Sequence, residues 1–222
     1  MTAPLPLVLA WHGTRNPEGR ALIERTTRRV AEALPGVAVH IAWVDVEEHL
    51  LPATLAEVGS CVVVPCFLAA GYHVTQDVPE AVASVPYDVR VAPHLGGAFT
   101  GVLLQRVAEA GGPGDAIVLA AVGSLRETAQ AEVAEVAERL TRELGVGVRI
   151  ANLFGEPSVA SLVTQARADG CRDVLVLPYT LAPGLWGDRI GALGVRVACP
   201  LGDHPEVTAA IAVRYRMIAP SR

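Results

Sequence analysis

The sequence predicts an α/β protein made of two tandem, similar, doubly wound domains, each with a small parallel sheet flanked by helices, and with a cleft between the domains. Three observations support this prediction: apolar runs of strand length, helical patterns between them, and a repeat of both in the second half. The runs are continuously apolar, which is typical of strands covered on both faces. They lie at residues 5–11, 37–44, 61–66 and 89–92, and again at 116–122, 146–153, 174–177 and 195–199.

Amphipathic helical patterns occupy the segments between these runs. In the first half, Leu22, Thr26, Val30 and Leu34 recur at a spacing that places them on one helix face. Alternating strands and helices predict parallel pairing, because a parallel neighbour is reached through a crossover connection. The second half has the same pattern at Ala129, Val133, Val136, Leu140 and Leu144.

The two halves share short motifs in the same order, which indicates an internal duplication. The segment GGPG at 111–114 has the composition of a linker between them. We therefore predict one domain at 1–112, which carries the candidate catalytic histidines, and a second at 113–222, which lacks them. The matching pairs are LAWHGT at 9–14 with AAVGS at 120–124, PCFLAAG at 65–71 with PYTLAPG at 178–184, and APHLG at 92–96 with ACPLG at 198–202.

The composition excludes several classes of function. All 18 basic residues are arginines, so a Schiff-base lysine and a P-loop lysine are both excluded. The formal net charge of −5 argues against sequence-independent binding of nucleic acid. The four cysteines form no C-x-x-C pair, which argues against a structural zinc or iron–sulfur site and favours small core residues. Arginine can still bind carboxylates in bidentate fashion, so anionic small molecules remain plausible ligands.

The first residues have no basic region and too short an apolar stretch for a signal peptide or a membrane span. We therefore expect a cytoplasmic protein with no membrane partner and no nucleic-acid partner.

Two histidines follow strands of the first half. His12 comes after the first apolar run and His73 after the third, and ligands of open parallel sheets bind beyond the carboxyl ends of the strands. In the second half the aligned glycines Gly123 and Gly184 are present but both histidines are replaced. The shared backbone therefore does not require the histidines. Since imidazole suits divalent metals and proton transfer, His12 and His73 are the candidate catalytic residues.

The other four histidines carry no such pattern. His40 lies within a predicted strand and His49 in a stretch with helical character, while His94 and His204 lie on late loops. We interpret all four as structural or solvent-facing.

The motifs around His12 and His73 resemble the paired signature of the sirohydrochlorin chelatase family in its two-domain form. They are His-Gly-Thr-Arg-x-Pro-x-Gly at 12–19, PCFLAAGYHV at 65–74 and DVPEA at 77–81. The resemblance implies a lyase that inserts a divalent metal, Fe²⁺ or Co²⁺ with Ni²⁺ as a further candidate, into a polycarboxylated tetrapyrrole without ATP. It places the enzyme in siroheme or cobalamin biosynthesis. No tightly bound cofactor is implied, because the metal is a substrate.

The resemblance also assigns roles to individual residues. His12 and His73 would bind the incoming metal, accept the pyrrole protons, or do both. Asp45 stands at the end of the second strand, where Glu is common in relatives, and its carboxylate could ligate the metal or relay protons. Glu47 and Glu48 are alternatives, although acidic residues there are also expected to open the following helix.

A macrocycle with many carboxylates needs donors around its site. Our candidates for substrate binding are the side chains of Arg15 and Arg189, with Thr14 and Ser124 in support. The aromatic rings of Tyr72 and Trp186 are candidates for stacking on the macrocycle or for packing.

Three other classes of function compete with the enzyme. A non-catalytic carrier of metal or tetrapyrrole would keep the same histidines. A nucleotide binder is disfavoured, because neither G-x-G-x-x-G nor G-x-x-x-x-G-K-[ST] follows the first strand of either half. A purely structural module would leave the histidine pair unexplained. The duplication predicts a monomer or a weak homo-oligomer.

Overall fold

The computed structural model describes residues 3–97 and 99–219, and it confirms the predicted tandem α/β architecture. Each half forms a four-stranded, wholly parallel sheet. The first sheet has the order β2-β1-β3-β4 and the second has the order β6-β5-β7-β8. The strands are β1 Leu7–Trp11, β2 Val39–Trp43, β3 Cys61–Pro65, β4 Val89–Val91, β5 Ala116–Ala121, β6 Val148–Asn152, β7 Val174–Tyr179 and β8 Arg196–Val197.

Helices connect the strands as the alternating pattern predicts. A short π-helix, His73–Asp77, precedes α3 without a break. The predicted apolar face of the first helix is buried, and so is that of its second-half counterpart as far as Leu140. The helices are α1 Pro17–Ala33, α2 Leu51–Val58, α3 Val78–Ala83, α4 Thr100–Glu109, α5 Glu127–Leu144, α6 Val159–Ala168, α7 Gly187–Gly191 and α8 Pro205–Ile218.

The central strands explain why the apolar runs are continuous. Every residue of β1, β3, β5 and β7 is buried, since helices cover both faces of each sheet. The outer strand β2 is largely half-buried, and β8 is reduced to two residues. The sheet therefore holds the ends of β1 and β3 rigidly, and the candidate site is attached to those ends.

The compact units differ from the predicted division at 112/113. One unit runs as far as Gly96 and includes the segment from Asp203 onward, whereas the other is Gly97–Gly202. Helix α4 therefore belongs with the second sheet and α8 with the first. Arg106 of α4 donates to the carbonyl oxygens of Pro200 and Leu201 in the second unit. In the first unit, the Tyr215 hydroxyl of α8 donates to the carbonyl oxygen of Leu5.

Two of the four cysteines fit the expectation of core residues. Burial raises the pKa of Cys61 to about 11, and it raises the pKa of Cys66 well above the ordinary thiol value. Both side chains therefore remain neutral thiols at physiological pH. Cys171 is only half-buried and Cys199 is exposed, so the expectation is wrong for Cys199, which follows the very short β8.

Within residues 3–97 and 99–219, no helix combines the length and the apolarity needed to cross a membrane.

Candidate metal centre

The first two residues of the site are aligned by backbone hydrogen bonds beyond the ends of β1 and β2. The Val44 N–H donates to the Trp11 carbonyl oxygen at 2.7 Å, and the Asp45 N–H donates to the His12 carbonyl oxygen at 3.0 Å. These bonds extend the parallel ladder by one step past the strands. As a result, His12 and Asp45 emerge side by side from the carboxyl edge of the first sheet.

Gly13 allows this close approach. Its φ is +100°, a conformation that side chains of L residues rarely adopt, and a Cβ built there would lie 2.2 Å from the Asp45 carbonyl oxygen. Only hydrogen fits in that space. The glycine after His12 is therefore required by the contact between two loops and not only by the turn itself.

A strained turn fixes the carboxylate of Asp45. Among the described residues other than glycine, only Val46 has a positive φ, 71°, and the Glu47 N–H donates to the Asp45 carbonyl oxygen at 2.9 Å. A hydrogen bond between residues two apart with a positive central φ defines the rarer kind of γ-turn, which is strained. The Val46 N–H also donates to Asp45 Oδ1 at 2.6 Å. Among the described residues, no hydrogen bond engages Asp45 Oδ2, which leaves that oxygen for a ligand.

The strain at Val46 is held by its neighbours. The Arg20 Nη2 donates to Glu47 Oε2 at 2.6 Å, and this ion pair ties the turn to α1. Strained backbone of this kind typically costs about 1–3 kcal/mol and persists where the surroundings determine it. The ion pair and the packing of Gly13 are such surroundings.

His73 reaches the site from the π-helix that follows β3. The Val78 N–H donates to the His73 carbonyl oxygen, five residues back, which is the π-helical bond. The imidazole stacks on the Phe67 ring with centroids 5.8 Å apart, and it meets the exposed Tyr72 ring edge-on at 6.3 Å. These contacts restrict the rotation of the imidazole about its side-chain bonds.

A carboxylate behind His73 sets its orientation. The His73 Nδ1 lies 2.5 Å from Asp77 Oδ2, and both side chains are largely shielded from water. Because an ionised carboxylate can only accept, Nδ1 carries the proton, and in the neutral imidazole Nε2 presents a lone pair. Asp77 begins the DVPEA motif at 77–81, and the sequence alone assigns it no role. Its signal in the sequence was the spacing of four residues from His73.

His12 has the same tautomer for a similar reason. Its Nδ1 lies 3.1 Å from the Gly13 carbonyl oxygen, which can only accept a hydrogen bond. The Nε2 of His12 is therefore also unprotonated in the neutral imidazole. Both histidines thus offer the form of imidazole that binds metals.

The three side chains converge on one point. The ligand atoms of His12, Asp45 and His73 all lie within 4.8 Å of one another, and the two imidazoles meet edge-on with centroids 4.8 Å apart. For three atoms no more than that distance apart, there is a central point that lies no more than about 2.8 Å from any of them. A metal–nitrogen bond is about 2.1 Å long. Movements of less than an ångström would complete the coordination. We call this group the metal centre.

The metal centre is open on one side. His12 and Asp45 are exposed and His73 is half-buried. Three protein ligands with open positions are typical of catalytic metal sites, whereas structural sites are closed by four. The arrangement can hold a divalent ion and still let a further ligand reach it.

The remaining polar candidates of the first unit lie in loops and turns. Glu47 and Glu48 lie in the loop before α2, which begins only at Leu51, so the expectation that they open the helix is wrong. The Thr14 hydroxyl accepts from the Asn16 N–H at 3.1 Å and thus shapes the turn before α1. Arg15 is exposed and lines an open cavity of about 350 Å³ with Pro17, Arg20, Ala21 and Glu24.

The candidates of the second unit have mixed environments. The Ser124 hydroxyl accepts from the Arg126 N–H at 3.1 Å, which is the same turn as at Thr14. Trp186 packs against the apolar core of its own unit, so at least part of its ring serves packing. Arg189 is exposed on α7.

The four other histidines lie outside the metal centre. His40 is in β2 as predicted, and the His204 Nδ1 accepts from the Glu206 N–H at the start of α8. His49 lies in a loop, not in a helix, with its Nε2 3.5 Å from Glu57 Oε2. The His94 carbonyl oxygen accepts from Arg214 Nε at 2.7 Å.

The second unit repeats the backbone of the site with different side chains. The Phe154 N–H donates to the Val122 carbonyl oxygen at 3.3 Å, in the way that Asp45 donates to His12. Gly123 has a φ of +98°, close to that of Gly13. Trp186 follows Pro178 by the same number of residues as His73 follows Pro65, so Trp186 occupies the position of His73. The candidate metal ligands of the first unit are therefore replaced by Val122, Phe154 and Trp186.

Comparison with known proteins agrees with the duplication. A family model described as CbiX matches the chain twice, over residues 6–110 and 116–218. The sirohydrochlorin cobaltochelatase of Methanopyrus kandleri is 32% identical over 85 residues, which cover 36% of this chain and 59% of that protein. The chain thus spans little more than half the length of the curated relatives that it matches.

Two solved structures share the fold over nearly the whole chain. The sirohydrochlorin chelatase SirB from Bacillus subtilis subspecies spizizenii, in complex with cobalt, has a TM-score of 0.75 at 17% identity and covers 95% of this chain and 93% of its own. CbiX, described as the terminal enzyme of siroheme biosynthesis in denitrifying bacteria, has a TM-score of 0.69 at 23% identity, with coverage of 96% and 98%. At these identities the likeness establishes the fold.

Proposed function

The chain belongs to the CbiX family, and from this premise and the metal centre we propose that it is a sirohydrochlorin chelatase, which inserts a divalent metal into a polycarboxylated tetrapyrrole without ATP. The observation that supports this most directly is the convergence of His12, Asp45 and His73 within 4.8 Å. The product would serve siroheme or cobalamin biosynthesis.

The metal centre receives the ion before transfer. The Nε2 atoms of His12 and His73 and the Oδ2 of Asp45 are the donors that their hydrogen bonds leave available. Because these three leave coordination positions open, the pyrrole nitrogens can bind the metal before the protein releases it. A stepwise exchange of ligands avoids returning the ion to full hydration.

The same two imidazoles then account for the protons. Insertion of one divalent ion breaks two pyrrole N–H bonds and releases two protons. When the metal passes to the macrocycle, the Nε2 atoms of His12 and His73 are freed, and each can accept one proton. Ligand and base are therefore successive roles of the same atoms, and both protons leave to water afterwards.

Polar side chains of both units would hold the carboxylates of the macrocycle. Arg15 and Arg189 are exposed guanidinium groups that can bind carboxylates in bidentate fashion. Thr14 and Ser124 already accept backbone hydrogen bonds, but each hydroxyl keeps a proton to donate. Tyr72 is exposed beside His73, where its ring could contact the macrocycle.

Co²⁺ and Fe²⁺ are the metals to test first. Two imidazoles and a carboxylate bind both ions, and also Ni²⁺, in the general order of affinity for divalent metals. One structural neighbour was solved with cobalt, and the curated relatives are cobaltochelatases. The ligands themselves do not select one metal, so selection would depend on supply and on rate.

The test is anaerobic absorbance spectroscopy with sirohydrochlorin and Co²⁺ or Fe²⁺. We expect the wild-type protein to accelerate insertion, and we expect His12→Ala and His73→Ala each to return the rate to nearly the spontaneous value. Each change should weaken Co²⁺ binding by about 100-fold or more, since a lost direct ligand exceeds the 10–100-fold effect of a lost supporting group. His49→Ala removes an exposed histidine outside the metal centre and is the matched control.

The carrier remains the alternative that this experiment distinguishes. Tight binding of sirohydrochlorin and Co²⁺ without any acceleration would contradict a chelatase and favour a carrier. Full insertion rates in both histidine variants would contradict the assignment of the metal centre.

A further inference from the structure

The turn that follows the second strand of each sheet is strained in the first unit and not in the second. In the first unit its central residue is Val46, with a φ of 71°, a conformation that a β-branched residue rarely adopts. In the second unit Gly155 follows Phe154 as Val46 follows Asp45, and its φ is +123°. Glycine adopts a positive φ at little steric cost. The fold therefore accepts glycine at this turn, and the strain belongs to the unit that has the metal centre.

An ion pair accompanies the strained turn, and the described residues of the second unit have no counterpart of it. Arg20 Nη2 donates to Glu47 Oε2 at 2.6 Å and joins the turn to α1. Glu156 occupies the position of Glu47, but its Oε2 accepts from the Ser158 N–H at 2.8 Å, at the start of α6. Gln130 occupies the position of Arg20, and its amide donates to a backbone carbonyl oxygen just before α5 at 2.8 Å. The strain and the ion pair thus occur together with the metal ligands.

The Glu47 carboxylate is buried at a cost. Its side chain is only 13% exposed, and its Oε1 is buried without a hydrogen-bond partner among the described residues. Removing a carboxylate oxygen from water without a partner costs free energy. The Glu47 Cγ also lies 3.2 Å from the point where a Cβ of Gly13 would be, so the side chain packs directly behind the metal centre. Strain and unpaired burial at one place indicate a role in function.

We propose that the ion pair between Arg20 and Glu47 positions Asp45 in the metal centre. This inference rests on the proposed function and adds to it two positioning residues behind the metal ligands. Because Asp45 Oδ1 accepts from the Val46 N–H, the orientation of the turn determines where Oδ2 lies. The ion pair fixes the residue after Val46 to α1 and so prevents the turn from relaxing to a negative φ. A relaxed turn would carry Oδ2 away from the two imidazoles.

Positioning and simple electrostatics predict opposite effects for the loss of Arg20. Its guanidinium is a cation joined to the loop that carries Asp45, so its removal would strengthen Co²⁺ binding if charge alone mattered. Removal would also leave Glu47 as an unpaired anion in the same loop. If the ion pair positions Asp45, the same change weakens Co²⁺ binding instead. The sign of the change in affinity therefore distinguishes the two explanations.

The experiment is a double-mutant cycle measured by calorimetric titration of Co²⁺. We expect Arg20→Met to weaken Co²⁺ binding by about tenfold, the lower end of the effect of a lost supporting group. In a Val46→Gly background the same change should weaken binding by less than about threefold, because glycine adopts the positive φ without the ion pair. Arg149→Met breaks an ion pair of similar length in the second unit, 2.7 Å to Asp169, and is the matched control.

The visible absorption of bound Co²⁺ separates positioning from general damage. The absorption depends on the number, kind and geometry of the ligands. We expect the spectrum of Arg20→Met to move toward that of Asp45→Ala, since both variants lose the carboxylate donor, and the spectrum of Arg149→Met to match wild type. A purely structural ion pair would lower the free energy of unfolding and leave the Co²⁺ spectrum unchanged.

The contrary results are equally specific. Tighter Co²⁺ binding in Arg20→Met would overturn the proposal, because charge would then outweigh positioning. An equal loss of affinity in the wild-type and Val46→Gly backgrounds would show that the pair does not act through the turn. If wild type inserts metal and Arg20→Met binds Co²⁺ normally, the positioning role alone is wrong. If wild type binds no Co²⁺, the metal centre and the proposed function are wrong as well.

Discussion

Gly13 provides a sharp test of the metal centre, because the chain contains a matched control. Gly13 and Gly123 follow equivalent strands with φ values of +100° and +98°. A Cβ at Gly13 would lie 2.2 Å from the Asp45 carbonyl oxygen, whereas a Cβ at Gly123 would lie 3.0 Å from that of Phe154. Replacing either glycine with alanine adds similar backbone strain, but only Gly13→Ala forces a loop of the metal centre to move.

The magnitudes follow from those distances. The backbone strain alone is about 1–3 kcal/mol at either site. At Gly13 the alanine methyl must also move the Asp45 backbone by about 1 Å, and such overpacking adds about 1–3 kcal/mol. We therefore expect Gly13→Ala to lower the free energy of unfolding by about 2–6 kcal/mol, and Gly123→Ala by about 1–3 kcal/mol.

The effect on metal binding should separate the two variants. A displacement of about 1 Å in a positioned group can reduce function by about 100-fold. We expect Gly13→Ala to weaken Co²⁺ binding by about 10–100-fold, because Asp45 moves away from His12. Gly123→Ala should leave Co²⁺ affinity unchanged, since its loop carries no ligand.

The assay combines urea unfolding with calorimetric titration of Co²⁺, at a temperature where both variants are folded. If Gly13→Ala kept both its stability and its Co²⁺ affinity, the close contact between the two loops would be refuted. If both variants lost Co²⁺ affinity equally, the effect would be general destabilisation and not displacement of Asp45.

Three further predictions concern positioning, packing and pH. Asp77→Asn should weaken Co²⁺ binding by about 10–100-fold in calorimetry, because an amide can donate to His73 Nδ1 as well as accept from it and so no longer fixes the proton there. Unchanged affinity would refute that role. Arg196→Leu should lower the free energy of unfolding in urea by about 2 kcal/mol without changing Co²⁺ affinity. The change removes a bidentate ion pair with Asp173 and two hydrogen bonds to backbone carbonyl oxygens. A loss below about 0.5 kcal/mol would mean that water replaces these interactions at no net cost. Burial raises the pKa of Tyr179 from 10.0 to about 12. The contribution of the neutral phenol to the free energy of unfolding is therefore complete below pH 10. Above pH 10 the unfolded chain ionises first, and this contribution of roughly 2–3 kcal/mol is lost as the pH rises to about 12. In Tyr179→Phe, the free energy of unfolding in urea should depend less on pH between 10 and 12 than it does in the wild type. The same pH dependence in both proteins would contradict the prediction.

The central strands could be predicted from the sequence because their environment is simple. Strands β1, β3, β5 and β7 are covered on both faces, so their apolar runs are uninterrupted and their ends are well marked. The apolar run at 195–199 did not predict that β8 has only two residues. At an edge strand, apolarity does not determine how many residues form hydrogen bonds with the neighbouring strand.

The site was predictable only as far as general sheet geometry determines it. Strand ends of a parallel sheet meet at one edge, which explains why His12 and His73 could be grouped before their distances were known. Asp45 was added by the resemblance to the chelatase family. The turn at Val46 was not predictable, because valine rarely adopts a positive φ and is held there by neighbouring loops and by Arg20. That turn, and not a helix start, explains the position of Glu47.

The sequence also did not predict that α4 belongs to the second unit and α8 to the first. The amphipathic face of α4 or α8 shows that the helix packs on a sheet, but it does not identify which one. The division at 112/113 therefore remains a prediction about the duplication, while the compact units divide near Gly96 and Asp203.

The difference between the two units lies in their side chains and not in their loops. If the proposed function is correct, a tetrapyrrole accepts one metal ion, and the set of ligands at His12, Asp45 and His73 suffices. Hydrocarbon at Val122 and Phe154 then avoids a second metal-binding group in the same chain. The backbone glycines remain in both units because the loops need them whatever side chains they carry.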